Sequence, residues 1–451
     1  MALPWRMNAV RFSEKSLFHP VFVIIGCGSA DSNLKTLFSF VSALAFHYLC
    51  LYKGNWKIDP IMMSNFLFTT DVFVWMAVVG VLLLLRAVIC LPLYGRPLRF
   101  LKKASEGKVP YAPSLPGVSV IVYAQNDAEN LQSFLPDILK QHYPAFEVIV
   151  INDGSTDHTK EVMMDFQKEY PHLYQTFIPE ESRNLSRKKL ALTLGVKAAR
   201  YDIVLLTNAN CRPVSARWIE TMARNFVPGT EMVLGYGCFG CKKQSGDSYR
   251  MMDRLAWALR YLSYAIQGRP YMGSGVNLAY RKTLFFEHKG FSDHLNLHFG
   301  DDDLFVNKVS TRTNTRVELS PESRVEELFD DNRQAWVEQK LRYGFTARFL
   351  RHAPRLFGAF EWITRYGFFA LVGWALYKGF SNPIFWVLGG SVLLLRFVVL
   401  LWVGYRIKRY FPLRNLPGAL LLFDLFQPIV DLYYRWVGAM NKKKNYTWKK
   451  K

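Results

Sequence analysis

Three adjacent carboxylates, Asp301–Asp303, follow Gly300 and precede Leu304 in an otherwise apolar and aromatic neighbourhood. Carboxylates this close repel one another, and the repulsion raises the pKa of at least one of them. A carboxylate with a raised pKa suits general base chemistry, in which it takes a proton from a reacting hydroxyl. A structural acidic run is more often spread over a solvated face, so we treat this acidic triplet as a candidate catalytic site.

A second acidic motif, Asn152–Asp157, directly follows the apolar run Val148–Ile151. The run predicts a buried strand, the turn residues end it, and a helical stretch follows from about Lys160 to Tyr170. Strand, acidic turn and helix make up half of a nucleotide-binding α/β unit, whose ligand lies beyond the carboxyl ends of the strands. Asp153 falls at that end and can accept hydrogen bonds from a base or ribose, although capping of the turn is the simpler alternative.

Two further apolar runs end in polar residues in the same way. Val118–Val122 leads to Gln125–Asn126–Asp127, and Ile203–Leu206 leads to Thr207–Asn208–Ala209–Asn210. Strands that alternate with helices predict an α/β domain with a mostly parallel sheet and right-handed crossovers. We assign this domain to residues 115–350.

Long apolar segments flank the predicted domain on both sides. The segments are an uncertain N-terminal extension with one candidate membrane segment (1–60), a transmembrane helix (66–95), a transmembrane hairpin (366–405), an interfacial or transmembrane helix (416–437) and a basic tail (438–451). The 416–437 segment contains Asp424, Gln427 and Asp431, which favours an interfacial amphipathic helix over a crossing.

The chain carries a formal net charge of +21, and its basic residues crowd the edges of the apolar segments. Examples are Arg96, Arg99, Lys102 and Lys103 after the first span. This placement fits an anionic membrane surface better than nucleic acid, for which we find no binding motif. The positive-inside rule predicts a multi-pass protein of the inner (plasma) membrane with the 115–350 domain in the cytoplasm.

Taken in order, the motifs resemble those of the family 2 glycosyltransferases, which have the inverting GT-A fold. The motifs that carry the resemblance are Ser119–Asp127, Asn152–Asp157, Lys188 in a Lys–Lys–Leu–Ala–Leu run, Gly300–Leu304 and Gln339–Tyr343. The hairpin after the domain resembles that of the processive, polysaccharide-forming members. The resemblance implies a hexosyltransferase of cell-envelope polysaccharide biosynthesis. It implies a nucleotide-sugar donor, a lipid-linked or polysaccharide acceptor and contact with membrane lipids.

The resemblance also implies roles for single residues. Asp301 takes the position of the catalytic base and Asp303 a supporting one, while Gly300 replaces the usual Glu. Asp127 and Asp153 would contact the nucleoside, and Lys188 matches a lysine near the donor.

Two glycines and a helical motif match segments near the acceptor and the leaving diphosphate. Gly273 and Gly275 would let the backbone approach the sugar, with a plain β-turn as the alternative. Gln339, Arg342 and Tyr343 match a Gln–x–x–Arg–Trp motif in which Tyr replaces Trp, with an amphipathic surface helix as the alternative.

The chain departs from the family at the residues that hold a divalent metal. Asn208 and Asn210 stand where the family has Asp–x–Asp, so only a weak Mg²⁺ or Mn²⁺ ligand, Asn210, is left. An enzyme of this kind holds its metal through the diphosphate, or neutralises the diphosphate with basic residues. The alternative is a pseudoenzyme, a membrane scaffold that binds a nucleotide sugar without transferring it.

Overall fold

The computed structural model describes residues 69–178, 186–240, 247–329, 332–350, 355–413 and 415–440. The predicted extension, residues 1–60, lies outside these residues, as does the basic tail from residue 441 onward. The strands are β1 (Val118–Ala124), β2 (Phe146–Asn152), β3 (Leu173–Phe177), β4 (Ile203–Asn208), β5 (Cys211–Pro213), β6 (Met232–Leu234), β7 (Gly237–Phe239), β8 (Leu278–Arg281), β9 (Thr315–Val317) and β10 (Val325–Glu327). The α-helices are α1 (Thr70–Ser105), α2 (Ala128–Leu139), α3 (Thr159–Glu169), α4 (Arg187–Ala198), α5 (Trp218–Ala223), α6 (Asp247–Ile266), α7 (Lys282–Glu287), α8 (Asp303–Val309), α9 (Asn332–Thr346), α10 (Arg355–Lys378), α11 (Ile384–Lys408) and α12 (Leu416–Met440).

A seven-stranded sheet with strand order β3-β2-β1-β4-β8-β6-β9 forms the centre of the domain. Strands β3, β2, β1 and β4 are mutually parallel, and β6 is parallel to β9, whereas β8 is antiparallel to both of its neighbours. A second sheet has the order β5-β10-β7. The predicted α/β class, a GT-A type domain with a mostly parallel sheet beside apolar helices, is confirmed.

Both faces of the central sheet are buried, which explains why its strands are continuous apolar runs. Val120, Val122 and Val150 pack into a cluster on one face, while Ile121 and Ile149 pack into a second cluster on the other. Each of these side chains is at most 2% exposed. The sheet is therefore a rigid support for the residues that follow its strands.

The apolar helices expose large hydrophobic side chains on their outer surface. Leu84, Leu394 and Leu432 are each more than half exposed. By length and composition, α1, α11 and residues 416–438 of α12 could each cross a membrane. The predicted transmembrane hairpin falls on α10 and α11. Of these two described helices, α11 but not α10 is long and apolar enough to cross a membrane, and α10 begins at Arg355, before the predicted start at residue 366.

Candidate active site

The carboxyl ends of β1, β2 and β4 bring three of the polar motifs to one edge of the sheet. The register places Ala124 opposite Asn152 and Tyr123 opposite Asn208. The turns that follow these strands therefore start side by side, as expected for a parallel α/β sheet.

Asp153 is buried at this edge and has a protein partner on each oxygen. Its Oδ1 accepts a hydrogen bond from Arg187 Nε at 2.6 Å, and its Oδ2 accepts one from the Tyr123 hydroxyl at 2.7 Å. Gly154 has a φ of +60°, and a side chain there would collide with Arg187. Burial and the hydrogen bond to Asp153 raise the pKa of the Tyr123 hydroxyl, so it remains a donor. The nucleoside contact of Asp153 remains an expectation, because it requires one of these partners to move.

A cleft of about 730 Å³ opens beyond the strand ends. Most of the predicted site residues line it, namely Asp127, Lys188, Asn208, Asn210, Gly275, Gln339, Arg342 and Tyr343. Asp302, the member of the acidic triplet to which the family motif gives no separate role, lines it as well. Four predicted site residues are not part of this lining: Asp153, Gly273, Asp301 and Asp303.

Asp127 lines the cleft and also caps the turn after β1. Its carboxylate accepts hydrogen bonds from the Gln125 backbone N–H at 2.9 Å and from Asn130 Nδ2 at 2.7 Å. The neighbouring Asn126 has a φ of +53°, a conformation that asparagine tolerates better than most residues. The two interpretations of Asp127, turn cap and cleft residue, are therefore compatible.

The positions expected to hold a metal are occupied by hydrogen-bonded amides beside a lysine. Lys188 Nζ lies 3.3 Å from Asn208 Oδ1 and 3.3 Å from Asp301 Oδ2, and Asn210 Nδ2 donates to the Leu328 carbonyl at 3.0 Å. An ammonium group at this distance repels a divalent cation, and an amide oxygen contributes no charge to hold one. No group of three or more His, Cys, Asp or Glu among the described residues could hold a metal ion. Asn208 and Asn210 do not fit a Mg²⁺ or Mn²⁺ site.

The acidic triplet lies at the start of α8. Asp302 is the N-cap and its carboxylate accepts a hydrogen bond from the Asp303 backbone N–H at 2.8 Å. Gly300, just before the triplet, has a φ of +97°, and a side chain there would collide with Leu304. This conformation favours glycine and accounts for the Glu that is missing from the family pattern.

Arg342 and Tyr343, from α9, hold two of the three carboxylates. Arg342 Nη2 lies 2.8 Å from Asp301 Oδ1 and 2.9 Å from Asp302 Oδ1. The Tyr343 hydroxyl and the Gly275 backbone N–H each donate to Asp302 Oδ2 at 3.0 Å. Two predicted site segments, the one with Gly275 and the one with Arg342 and Tyr343, thus converge on Asp302. Tyrosine can make this contact through the same kind of polar tip that the family's Trp would offer.

The carboxylates of the triplet differ in their affinity for protons. Burial opposes ionisation of Asp301, but the nearby cations Arg342, Lys188 and Lys189 together outweigh burial and hold the pKa of Asp301 below its usual value. Burial and the neighbouring Asp302 raise the pKa of Asp303 to about 7, against the hydrogen bond that Thr346 donates to it. The pKa rise predicted for the triplet therefore falls on Asp303.

A second cavity of about 260 Å³ lies between α6, α9, α10 and α12. Asp303 lines it, and so does Phe423 from the apolar helix α12. Gln339, Tyr343 and Arg254 line both this cavity and the cleft, so they form the wall between the two.

Arg254 is a residue of the site that sequence reasoning missed. It is 2% exposed, donates to the Gly237 carbonyl and to Glu327 Oε2, each at 3.2 Å, and its Nη1 has no hydrogen-bond partner among the described residues. The buried Ser274 hydroxyl, also in the cleft lining, lacks a partner in the same way. The sequence feature that could have identified Arg254 is its position next to apolar residues such as Leu255, on the buried face of an amphipathic helix.

Comparison with known proteins agrees with the site. Residues 119–290 match the family described as "Glycosyl transferase family 2". The poly-beta-1,6-N-acetyl-D-glucosamine synthase of Staphylococcus epidermidis is 36% identical over 94 residues, which are 21% of this chain and 22% of that protein. Glycosyltransferase AglE of Haloferax volcanii is 33% identical over 109 residues, which are 24% of this chain and 34% of that protein. The matched regions thus span about a fifth to a third of these relatives.

Among solved structures, a mannosyltransferase from Pyrobaculum calidifontis in complex with GDP-Man and Mn²⁺ is 18% identical with a TM-score of 0.47, covering 77% of this chain and 99% of that one. GalNAc-T7 with UDP, GalNAc and Mn²⁺ is 16% identical with a TM-score of 0.37, covering 48% of this chain and 44% of that one. The family match, the strand-end motifs and the cleft agree with one another, and residues 119–290 of this chain belong to a glycosyl transferase family 2 domain.

Proposed function

We propose that this protein transfers a sugar, with inversion, from a nucleotide-sugar donor to a lipid-linked or polysaccharide acceptor at the cytoplasmic face of the membrane. The observation that carries the proposal is the cleft of about 730 Å³, which joins the strand-end residue Asp127 to Asp302, Arg342 and Tyr343 of the catalytic motifs. The relatives named as poly-beta-1,6-N-acetyl-D-glucosamine synthases support a hexose-type sugar and a polysaccharide product.

The donor would lie with its nucleoside near Asp127 and its diphosphate near the cationic side chains of the cleft. Lys188 and Arg342 line the cleft, and Arg254 Nη1 and Ser274 Oγ offer donors that have no hydrogen-bond partner among the described residues. The three cations can offset the charge that develops on the leaving diphosphate, the same electrostatic task that a metal performs elsewhere, and the Ser274 hydroxyl can donate a hydrogen bond to it. We therefore derive the reaction without a metal ion.

In this reaction the acceptor hydroxyl oxygen attacks the anomeric carbon. Its proton passes to a carboxylate of the triplet, and the bond from the anomeric carbon to the diphosphate oxygen breaks. The family motif assigns the base to Asp301, with Asp303 in support. The geometry offers Asp302 as the triplet member on the cleft wall. The two assignments predict different effects for the corresponding asparagine variants.

The second candidate function is a scaffold that binds a nucleotide sugar without transferring it. The specific observation in its favour is the pair Asn208 and Asn210, which lacks both carboxylates of the family's metal motif.

Polar contacts of α12 bear on the topology. Gln427 Nε2 and Lys340 Nζ both donate to Asp253 Oδ1, and Lys340 also pairs with Asp431 of α12 at 2.7 Å. A helix joined to the catalytic domain in this way supports the interfacial placement of α12. Reporter fusions after residues 110, 381 and 451 should give cytoplasmic, external and cytoplasmic signals. An external signal at residue 110 would contradict the proposed topology. An external signal at residue 451 alone would show that α12 crosses the membrane.

Transfer is tested with purified membranes and a panel of radiolabelled nucleotide sugars. We expect one donor to be consumed and its sugar to appear in a lipid or polysaccharide fraction. The control is Asp301→Asn combined with Asp302→Asn, which removes both candidate bases. Donor binding without turnover in the wild-type protein would favour the scaffold instead.

A further inference from the structure

Six charged side chains meet where the apolar helices α1, α10, α11 and α12 pack near α6. They are Arg86, Arg260, Glu361, Arg365, Arg396 and Asp424, and we refer to them as the arginine cluster. Neither the sequence motifs nor the proposed reaction uses any of them.

Asp424 lies at the centre of the arginine cluster. Its two oxygens accept hydrogen bonds from Arg396 Nη2 at 2.7 Å and Arg396 Nε at 2.8 Å, and Arg86 Nη2 lies 3.4 Å away. Arg365 Nε is 3.7 Å from the same carboxylate, and Arg365 Nη2 pairs with Glu361 at 2.5 Å. The contacts are therefore continuous from α1 through α11 and α12 to α10.

Arg260 extends the cluster to the catalytic domain. Its Nη2 lies 3.4 Å from Glu361 Oε2, and its side chain lines the second cavity, which Asp303 also lines. The arginine cluster is thus connected to the interior of the domain as well as to the apolar helices.

The arginine cluster has more positive than negative charge. Four guanidinium groups face two carboxylates, which leaves a net charge of +2 (4 − 2). The adjacent ion pairs of Lys340 with Asp253 and Asp431 carry a net charge of −1, so the region as a whole stays positive. Guanidinium groups do not lose their proton in proteins, and burial of uncompensated charge is unfavourable. Arg365 is only 1% exposed and Arg396 7%, so solvent does little to offset this charge.

Several donors of the arginine cluster are also unused. Arg260 Nε, Arg365 Nε and Arg396 Nη1 are buried and have no hydrogen-bond partner among the described residues. Buried donors in folded proteins are nearly always paired. An anion with several oxygens would compensate the charge and pair these donors, and phosphate is the group that arginine forks recognise best.

We propose that the arginine cluster binds the phosphate group of a membrane lipid. The lipid source follows from the surroundings, because α1 and α11 expose apolar side chains such as Leu84 and Leu394, along which acyl chains can lie. The phosphate would enter at headgroup depth, since Gln427, one turn after Asp424, already contacts the catalytic domain. The site does not depend on the reaction proposed above, and its test does not use turnover.

The experiment uses the full chain purified in a phospholipid-free maltoside detergent. Bound phosphorus is measured per mole of protein, and bound lipids are identified by mass spectrometry. Thermal unfolding is then followed with added phosphatidylglycerol and, separately, with inorganic phosphate. The variants are Arg86→Gln and Arg396→Gln. Arg86→Gln is the milder change, because among the described residues Arg86 has one ion pair, at 3.4 Å, with Asp424. The control is Arg99→Gln, an exposed arginine on the same helix.

We expect the wild-type protein and Arg99→Gln to retain about one lipid phosphate and to be stabilised by phosphatidylglycerol. Arg86→Gln should need about tenfold more lipid for half of the effect, because one charge-assisted contact is lost. Equal protection by inorganic phosphate would overturn the lipid assignment. Absence of bound phosphorus, together with no stabilisation of the wild-type protein by added lipid, would overturn the site and leave the arginine cluster as an ion network that joins helices. If Arg396→Gln fails to fold, the bound phosphorus and lipid stabilisation of the wild-type protein still test the site.

Discussion

Asp153 and the acidic triplet lie close to the same end of the sheet, but their charge environments differ. Asp153 has one guanidinium and one phenol on its two oxygens and is not part of the cleft lining. The triplet shares Arg342 among its carboxylates and leaves Asp302 on the cleft wall. Both Asp153 and Asp302 accept hydrogen bonds from the protein on each carboxylate oxygen, so the number of partners does not separate them. They differ in access, because Asp302 lines the cleft and Asp153 does not.

The largest effect should come from the triplet. We expect asparagine at the base position to lower turnover about a hundredfold or more, because the amide cannot take a proton. Donor binding should remain nearly unchanged. The family motif predicts this loss for Asp301→Asn, and the cleft geometry predicts it for Asp302→Asn.

Both variants are compared by initial rates and by binding of UDP, with the exposed Asp165→Asn as control. Wild-type turnover in both variants would show that neither Asp301 nor Asp302 is the catalytic base. If turnover is lost in Asp303→Asn alone, the catalytic base is Asp303, which lines the second cavity.

The next effect concerns the cations that face the cleft. Lys188→Met should weaken UDP binding about tenfold, because it removes a charged partner of the diphosphate. The control is Lys197→Met, an exposed lysine on the same helix. Calorimetric titration with UDP measures the affinity of both variants. Unchanged affinity in Lys188→Met would show that Lys188 does not contact the diphosphate.

A related change restores the family's metal motif. With Asn208→Asp and Asn210→Asp together, we expect the manganese concentration for half-maximal UDP binding to fall about tenfold, because carboxylates add charge to the site. An identical metal dependence in both proteins would mean that these positions do not face the diphosphate. Turnover in the restored protein alone would establish the scaffold function for the native chain.

A smaller effect separates the two strand-end carboxylates. Asp127→Asn should weaken UDP binding, since Asp127 lines the cleft, and should change stability little. Asp153→Asn should instead lower the free energy of unfolding by about 1–3 kcal/mol, because Arg187 and Tyr123 lose a charged partner. Urea unfolding and UDP titration are run on both variants. A larger binding loss in Asp153→Asn would show that its partners release it when the nucleoside binds.

A last prediction is a pH dependence of stability linked to Asp303. Its pKa of about 7 lies above the usual value, so the folded state keeps a proton that the unfolded state releases. The stabilising contribution is fully present below pH about 4 and is lost as the pH rises to about 7. Asp303→Asn lacks this linkage, so its free energy of unfolding relative to wild type should increase across that range. Parallel pH profiles for the two proteins, measured by urea unfolding, would contradict the raised pKa.

Local patterns in the sequence were enough to predict the α/β class, the strands that end at the polar motifs and the apolar helices. Each of these depends on residues that are neighbours in the chain, such as the run Val148–Ile151 and the turn after it. Most predicted site residues also line one cleft, because parallel strands bring their carboxyl ends together once their order is known.

What only the tertiary structure decided was which groups face one another. Nothing adjacent to Asp153 in the chain indicates that Arg187 pairs with it. Nothing near Asn208 indicates that Lys188 lies beside it and also contacts Asp301. Arg254 and the arginine cluster involve partners tens to hundreds of residues apart. The charge and hydrogen bonding of a buried group depend on all the elements packed around it, and that packing is absent from any short stretch of sequence.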